Sequence, residues 1–177
     1  PVIGGVLPAA GAFVGPSGFG VSFDVSDVDP VIAAQVTALG AVAPATREGG
    51  RFRALATPPD TDGTFAVGIT AADRSGNVGV AELVFFRDGT GPEVSEITVE
   101  NSVSAGGVQW VGSTPAKLVV VAGDGAGVGS VTVQGIDGPV TLQAKGDRFE
   151  GHVALGAAAS EVWVTATDSV GNASTKA

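Results

Sequence analysis

The chain has 177 residues, 28 of them glycine, 10 proline and none cysteine, with 44% hydrophobic residues and a formal net charge of −9. The acidity and the lack of any basic stripe exclude a protein that reads nucleic acid by displacing counterions from phosphates. The missing cysteines exclude a disulfide framework, and no apolar run approaches the roughly 18 to 20 residues that carry a helix across a bilayer.

Pro1 to Leu7 lacks the basic start of a signal peptide, and an opening on Pro rather than Met points to a piece of something longer. The punctuation by Gly and Pro, with Val as the main large apolar residue, predicts short strands and an all-β chain. The first half predicts strands at 2–7, 19–26, 31–38, 41–46, 51–56, 64–72 and 79–87. Seven short strands with turn signals every 8 to 12 residues suit a Greek-key sandwich.

One segment carries conflicting signals. Asp29 to Gly40 has an N-cap residue, Pro30 at a first helical position, apolar residues at Ile32, Val36 and Leu39, and a glycine stop. Its counterpart Val128 to Gly135 alternates with period two and contains two glycines, so both are expected to be strands. The second half continues with strands at 94–99, 107–112, 117–123, 128–134, 139–144, 147–153 and 160–167, and a short last one at 173–177. That last strand has five residues where the first half has nine from Gly79 to Arg87. A cut chain, a flexible tail or a strand added by a neighbour would each account for the difference.

The two halves repeat one another. Asp27 and Asp124, each ending an apolar run, are 97 residues apart, as are Phe52 and Phe149, and Asp73 and Asp168 are 95 apart. Both halves end a strand on Asp-x-x-Gly-Asn, at Asp73 to Asn77 and Asp168 to Asn172. The expected organisation is therefore two tandem sandwiches, residues 1–89 and 91–177, joined through Arg87 to Pro92.

These residues carry a resemblance. Asp124, Gly127 and Val128, then Phe149, then Val162, Val164, Ala166, Asp168, Gly171 and Asn172, with Asp88 and Pro92 in the connection, form a recurring pattern. The first half has it at Asp27, Val31, Phe52, Val67, Ile69, Ala71, Asp73, Gly76 and Asn77. The pattern resembles bacterial immunoglobulin-like repeats, the tandem modules of large surface proteins and adhesins, and is similar to fibronectin type III and cadherin-like arrays. The resemblance implies two immunoglobulin-like Greek-key β-sandwiches and an extracellular or cell-surface setting, and says little about ligand, because one sandwich hosts many roles.

Chemistry has few candidates. His152 is the single histidine, with no acid placed by sequence to orient it, and Cys and Tyr are absent, so no catalytic residue is assigned. Gly123 to Gly127 follows a strand but opens no helix and no lysine follows, which favours a turn over a phosphate loop. The carboxylates divide between two roles. In a Greek-key sandwich Asp124 and Asp168 should face the connection, near Asp88 and Glu93, with Asp60 and Asp62 approaching from the far end of the first domain. Convergent oxygens of that kind could hold Ca2+. The alternative is that Asp73 and Asp168 cap their turns, with Gly and Asn supplying positive φ.

Trp163 should point outward where the first half has Gly68, with Val162, Val164 and Ala166 inward. It is either covered within the chain, for instance by Trp110, or anchors a partner. The sequence thus predicts a non-enzymatic stalk, adhesin or self-assembling fibre segment that requires no cofactor. Its expected partners are further copies of itself, neighbouring repeats or a surface ligand, and Ca2+ is the one candidate ion. The alternative is a carbohydrate-binding accessory region of a secreted enzyme, which the 6% aromatic content disfavours.

Overall fold

In a computed structural model that describes residues 1–112, 115–156 and 161–177, the chain forms two compact units, Pro1–Gly89 and Thr90–Ala177. Among the described residues there is no helix, and so none long and apolar enough to cross a membrane.

The first unit has nine strands: β1 (Val2–Leu7), β2 (Phe13–Val14), β3 (Phe19–Ser26), β4 (Val31–Ala38), β5 (Ala41–Pro44), β6 (Thr46–Glu48), β7 (Arg51–Ala56), β8 (Gly63–Asp73) and β9 (Val78–Arg87). They form one sheet in the order β1-β3-β7-β6 and a second in the order β2-β9-β8-β4-β5. Each strand turns alternate side chains to the space between the sheets. Val21, Phe23, Phe52, Val36, Val67, Ile69 and Phe85 fill it. Phe19, Phe65 and Phe85 form one aromatic cluster of this core, with the Phe19 and Phe85 rings 5.3 Å apart and tilted by 61°, and Phe23 stacks on Phe52 at 5.8 Å.

The segment with helix signals is the strand β4. Asp29 does not cap a helix; its carboxylate accepts a hydrogen bond from Ser75 Oγ at 2.6 Å. Ala34, Val36 and Ala38 alternate into the core, and pairing with β8 on one side and β5 on the other fixes the extended form. Tertiary pairing here outweighs local helix preference. The glycine stop is the second residue of a two-residue hairpin turn, with Leu39 at φ 51° and Gly40 at φ 81° between the paired Ala38 and Ala41. Both central residues of such a turn need positive φ, which suits Asn-Gly and strains a leucine. Leu39→Asn is expected to stabilise the first unit by about 1 kcal/mol, measured by chemical denaturation.

The second unit contains β10 (Glu93–Val99), β11 (Ser102–Ala105), β12 (Val108–Val111), β13 (Ala116–Gly123), β14 (Val128–Gly135), β15 (Gly138–Thr141), β16 (Gln143–Lys145), β17 (Arg148–Val153), β18 (Val164–Asp168) and β19 (Ala173–Lys176). The sheets run β10-β13-β17-β16 and β15-β14-β18-β19, with β11 and β12 as a separate hairpin. Leu118, Val120, Val131, Val133, Phe149, Val153, Val164 and Ala166 form its core.

Four expectations need correction. The strands expected at 41–46 and 139–144 are each two strands in different sheets, with Ala45 and Leu142 at the crossing. Their N–H groups still donate to Ala34 O and Val131 O at 2.8 Å, and Leu142 then turns into the core. β2 runs parallel to β9, pairing Phe13 with Phe86, and two residues are too short to leave a periodic signal. The strand expected at 107–112 is one arm of the hairpin that β11 completes, with Val103 opposite Trp110. Finally, Ser160 lies outside the described residues and residues 161–163 are not strand, although Gln134 N still donates to Trp163 O at 3.0 Å.

Candidate functional site

The repeated Asp-x-x-Gly-Asn motif builds the same object in both units. In the first, Asp73 Oδ1 accepts the N–H of Asn77 at 2.8 Å and Oδ2 accepts Asn77 Nδ2 at 2.7 Å. In the second, Asp168 Oδ1 accepts N–H groups from Val170 at 2.9 Å, Gly171 at 2.6 Å and Asn172 at 2.8 Å, while Oδ2 accepts Asn172 Nδ2 at 2.7 Å. Both carboxylates are buried. Gly76 and Gly171 take positive φ, at 86° and 99°. The asparagines do not share that role, contrary to the sequence expectation; their amides clamp the second carboxylate oxygen.

Each turn is also tied to the loop across the same end of its sandwich. Arg74 N donates to Pro30 O at 3.1 Å and Ser75 Oγ to Asp29 Oδ2. In the second unit Ser169 N donates to Gly127 O at 2.9 Å and Ser169 Oγ to Ala126 O at 2.6 Å. The loop from Gly123 to Gly127 is a turn, as expected: Asp124 Oδ1 accepts the Ala126 N–H at 2.7 Å and strand β14 follows.

This chemistry has a pH signature. The Asn77 side-chain amide, more than any other group, holds the Asp73 carboxyl below the usual carboxylate range, against burial that pushes it up. A carboxyl depressed in the folded state stabilises the fold above its unfolded pKa, near 4, and that stability is lost as pH falls through the folded value. The melting temperature of the first unit should therefore drop on acidification below about pH 4, and Asp73→Asn should flatten that drop. Melting curves recorded from pH 7 to pH 2 test this.

The expected cation ligands are placed as follows. In the second unit Glu93 opens β10 opposite Gly123 and is exposed, while Asp124 and Asp168 bring carboxylate oxygens within 4.8 Å of each other. In the first unit Asp62 accepts the Gly89 N–H at 2.7 Å and pairs with Arg87, so its charge is already matched. Asp60 is exposed beside it, and the Asp88 N–H donates to Val14 O at 2.9 Å. Sequence reasoning passed over the two arginines. Arg87 closes one end of the first unit through Asp62. Arg51 bonds Asp24 Oδ2 at 3.0 Å and the carbonyls of Gly5 and Ser22, tying β1 to β3. An arginine flanking a core Phe52 was the available signal.

Val164 and Ala166 are fully buried and Val162 packs against them, as expected. Trp163 is 48% exposed and Trp110 58% exposed, and they make no ring contact, so Trp110 does not cover Trp163 as anticipated. Trp110 sits on the separate hairpin instead. His152 is exposed on β17 opposite Lys117, along an open concavity of about 160 Å3 that Glu100 also lines. Ligand pockets start at roughly 300 Å3. Glu100 there bonds Lys117 Nζ at 2.7 Å.

No family model and no curated protein matches the sequence. Among solved structures, the fibronectin(III)-like modules of Clostridium thermocellum CbhA align over 98% of this chain and 90% of theirs, at 13% identity and a TM-score of 0.52. A tetra-tandem repeat from the extending region of a large adhesion protein aligns over 99% of this chain and 47% of its own, at 22% identity and a TM-score of 0.36. The Bacteroides ovatus protein SGBP-B, in complex with a mixed-linkage heptasaccharide, aligns over 98% of this chain and 41% of its own, at 15% identity and a TM-score of 0.32. The first of these identifies the fold: immunoglobulin-like, fibronectin III-like all-β sandwich.

Proposed function

We propose that this chain is a non-enzymatic structural segment of an extracellular bacterial repeat protein, a stalk, adhesin or fibre. One observation carries the reading: the same carboxylate-locked, serine-braced turn recurs in two sandwiches that each bury their own core. Units of this kind in series set reach, and each contributes its own resistance to unfolding. The two buried carboxylates, Asp73 and Asp168, are engaged in holding turns. The partners are further copies of such modules. Antibodies against this chain should label intact source cells, and protease treatment of those cells should remove the label. Label found only after lysis would refute the surface role.

The exposed Trp163 and Trp110 favour a second reading, in which the second unit presents an aromatic anchor to a ligand such as a glycan. A glycan array with no hits on the full chain would remove it. The Asp124–Asp168 pair is where Ca2+ would find its first ligands in the second unit. The four N–H groups on Asp168 leave it little spare lone-pair capacity, so cation binding is subordinate to the turn. Titration calorimetry after chelation that shows no heat with Ca2+ would remove this part.

A further inference from the structure

A row of hydroxyls crosses one outward surface of the second unit. Strand pairing sets Thr141, Thr132, Thr165 and Thr175 side by side across β15, β14, β18 and β19, one threonine per strand. Val131, Val133, Val164 and Ala166, which alternate with them on β14 and β18, are fully buried, so the row faces away from the core. Thr165 Oγ1 and Thr175 Oγ1 lie 3.2 Å apart, and Thr132 Oγ1 donates to Thr165 O at 3.4 Å. A hydroxyl offers one donor and two lone pairs, so each of these keeps capacity for a further bond. One step along the strands, on the same side, come Gln134 and the 48% exposed Trp163, whose carbonyl accepts the Gln134 N–H at 3.0 Å. Gln134 Nε2 donates to Gly135 O at 3.1 Å, which uses one of the four bonds its amide can make.

The fold does not demand this surface. Counted from the shared turn, the same four places in the first unit hold Pro44, Gln35, Thr70 and Val80, and Gly68 stands where the second unit has Trp163. Charge is missing as well: among the described residues, no outward position on these four strands of the second unit is charged, in a chain of net charge −9. Lys176, opposite the buried Val164, reaches Val94 O at 2.8 Å instead. An uncharged face that sets an indole beside hydroxyls and an amide matches the two surfaces of a neutral sugar. Its C–H face stacks on an aromatic ring, and its rim of hydroxyls both donates and accepts. An anion finds no cation here, and an apolar partner would bury the hydroxyls without replacing their bonds to water. Trp110 lacks such company, because cross-strand pairing puts Val103, Ala105 and Val108 on its side of the hairpin.

We propose that the outward face of the β15-β14-β18-β19 sheet binds an extended neutral polysaccharide, with Trp163 stacked on one sugar ring and the threonine row bonding the hydroxyls of the rings beside it. The spacing suits a polymer. The strand-to-strand step of about 4.8 Å is close to the length of one pyranose ring in an extended chain, so a polysaccharide lying across the strands meets about one threonine per ring. Four strands span about 14 Å, room for about three rings. The inference rests on the glycan reading given above for the second unit, and it assigns that reading a site and a ligand class.

Titration calorimetry of the full chain with cellohexaose, mannohexaose and xylohexaose, and with hexagalacturonate as the charged comparison, tests the proposal. At least one neutral oligosaccharide should bind, and hexagalacturonate should not. Trp163→Ala should weaken that binding at least about tenfold, and Thr141→Val and Thr175→Val should each weaken it about two- to tenfold. The circular dichroism spectrum and melting temperature of the threonine variants should stay unchanged, so they decide the matter even if Trp163→Ala disturbs the fold. Trp110→Ala should bind as the unaltered chain does. Binding that survives Trp163→Ala and both threonine variants but is lost in Trp110→Ala overturns this site and leaves the glycan reading, moved to the hairpin. No heat with any of the three neutral oligosaccharides overturns the site and the glycan reading together. Hexagalacturonate bound as tightly as the neutral ones overturns the assigned ligand class.

Discussion

Phe85→Ala is expected to cost the first unit about 3 to 5 kcal/mol and to leave the second unit's unfolding where it was. Phe85 is fully buried, meets Phe19 across the space between the sheets and lies beside Phe65 on the neighbouring strand of its own sheet. Removing the ring leaves a cavity lined by Phe65, which β8 holds through ten positions paired with β9, and by Phe19, which β3 holds through its pairing with β7. In a unit of this size about 1 kcal/mol moves the melting temperature by about 4 to 8 °C, so the shift should exceed about 10 °C. Calorimetry should resolve the displaced transition from an unmoved one. Leu118→Ala in the second core, where Leu118 is also fully buried, should produce the reverse pattern at about 2 to 5 kcal/mol. A single transition displaced by either substitution would mean that the two cores do not fold separately.

Asp168→Ala should cost the second unit about 2 to 4 kcal/mol, because it strips the acceptor from three backbone N–H groups at a buried turn. Asp168→Asn should cost less. It keeps one oxygen for the N–H groups, and Asn172 can rotate its amide to present an oxygen to the new NH2. The loss should be the same with and without EDTA, since the hydrogen bonds are internal. A loss that vanishes in EDTA would transfer the role of Asp168 from turn to cation ligand. Ser169→Ala, which removes the bond to Ala126 O, should cost only about 0.5 to 1.5 kcal/mol.

The strands were legible where one face is buried and the other is not, because the resulting alternation is written into residues such as Val67, Ile69 and Ala71, or Val164 and Ala166. The turn motif was legible for the same reason that it recurs: Asp, Gly and Asn at that spacing have few other uses. What the sequence hid depends on long-range pairing. β2 is two residues of parallel contact with β9, and nothing local to Phe13 and Val14 announces a partner more than 70 residues away. The Asn residues were assigned backbone strain when their side chains were the active part, a distinction that only the position of the Asp carboxylate settles. Trp110 was offered as one cover for Trp163, yet the two side chains are each about half exposed and make no ring contact. The outward face of β9 was not singled out in the sequence. Its apolar character emerges only when register sets Val78, Val80 and Val84 beside Ala72, Thr70 and Ala66.

The account rests on two sandwiches that each fold around their own core and bear load as separate elements. Pulling the full chain by its ends in a single-molecule force experiment addresses this most directly. Each unit should unfold in its own step, and each step should release roughly 280 to 320 Å of chain, given at most ~3.6 Å per extended residue. One step releasing about twice that length would contradict the account.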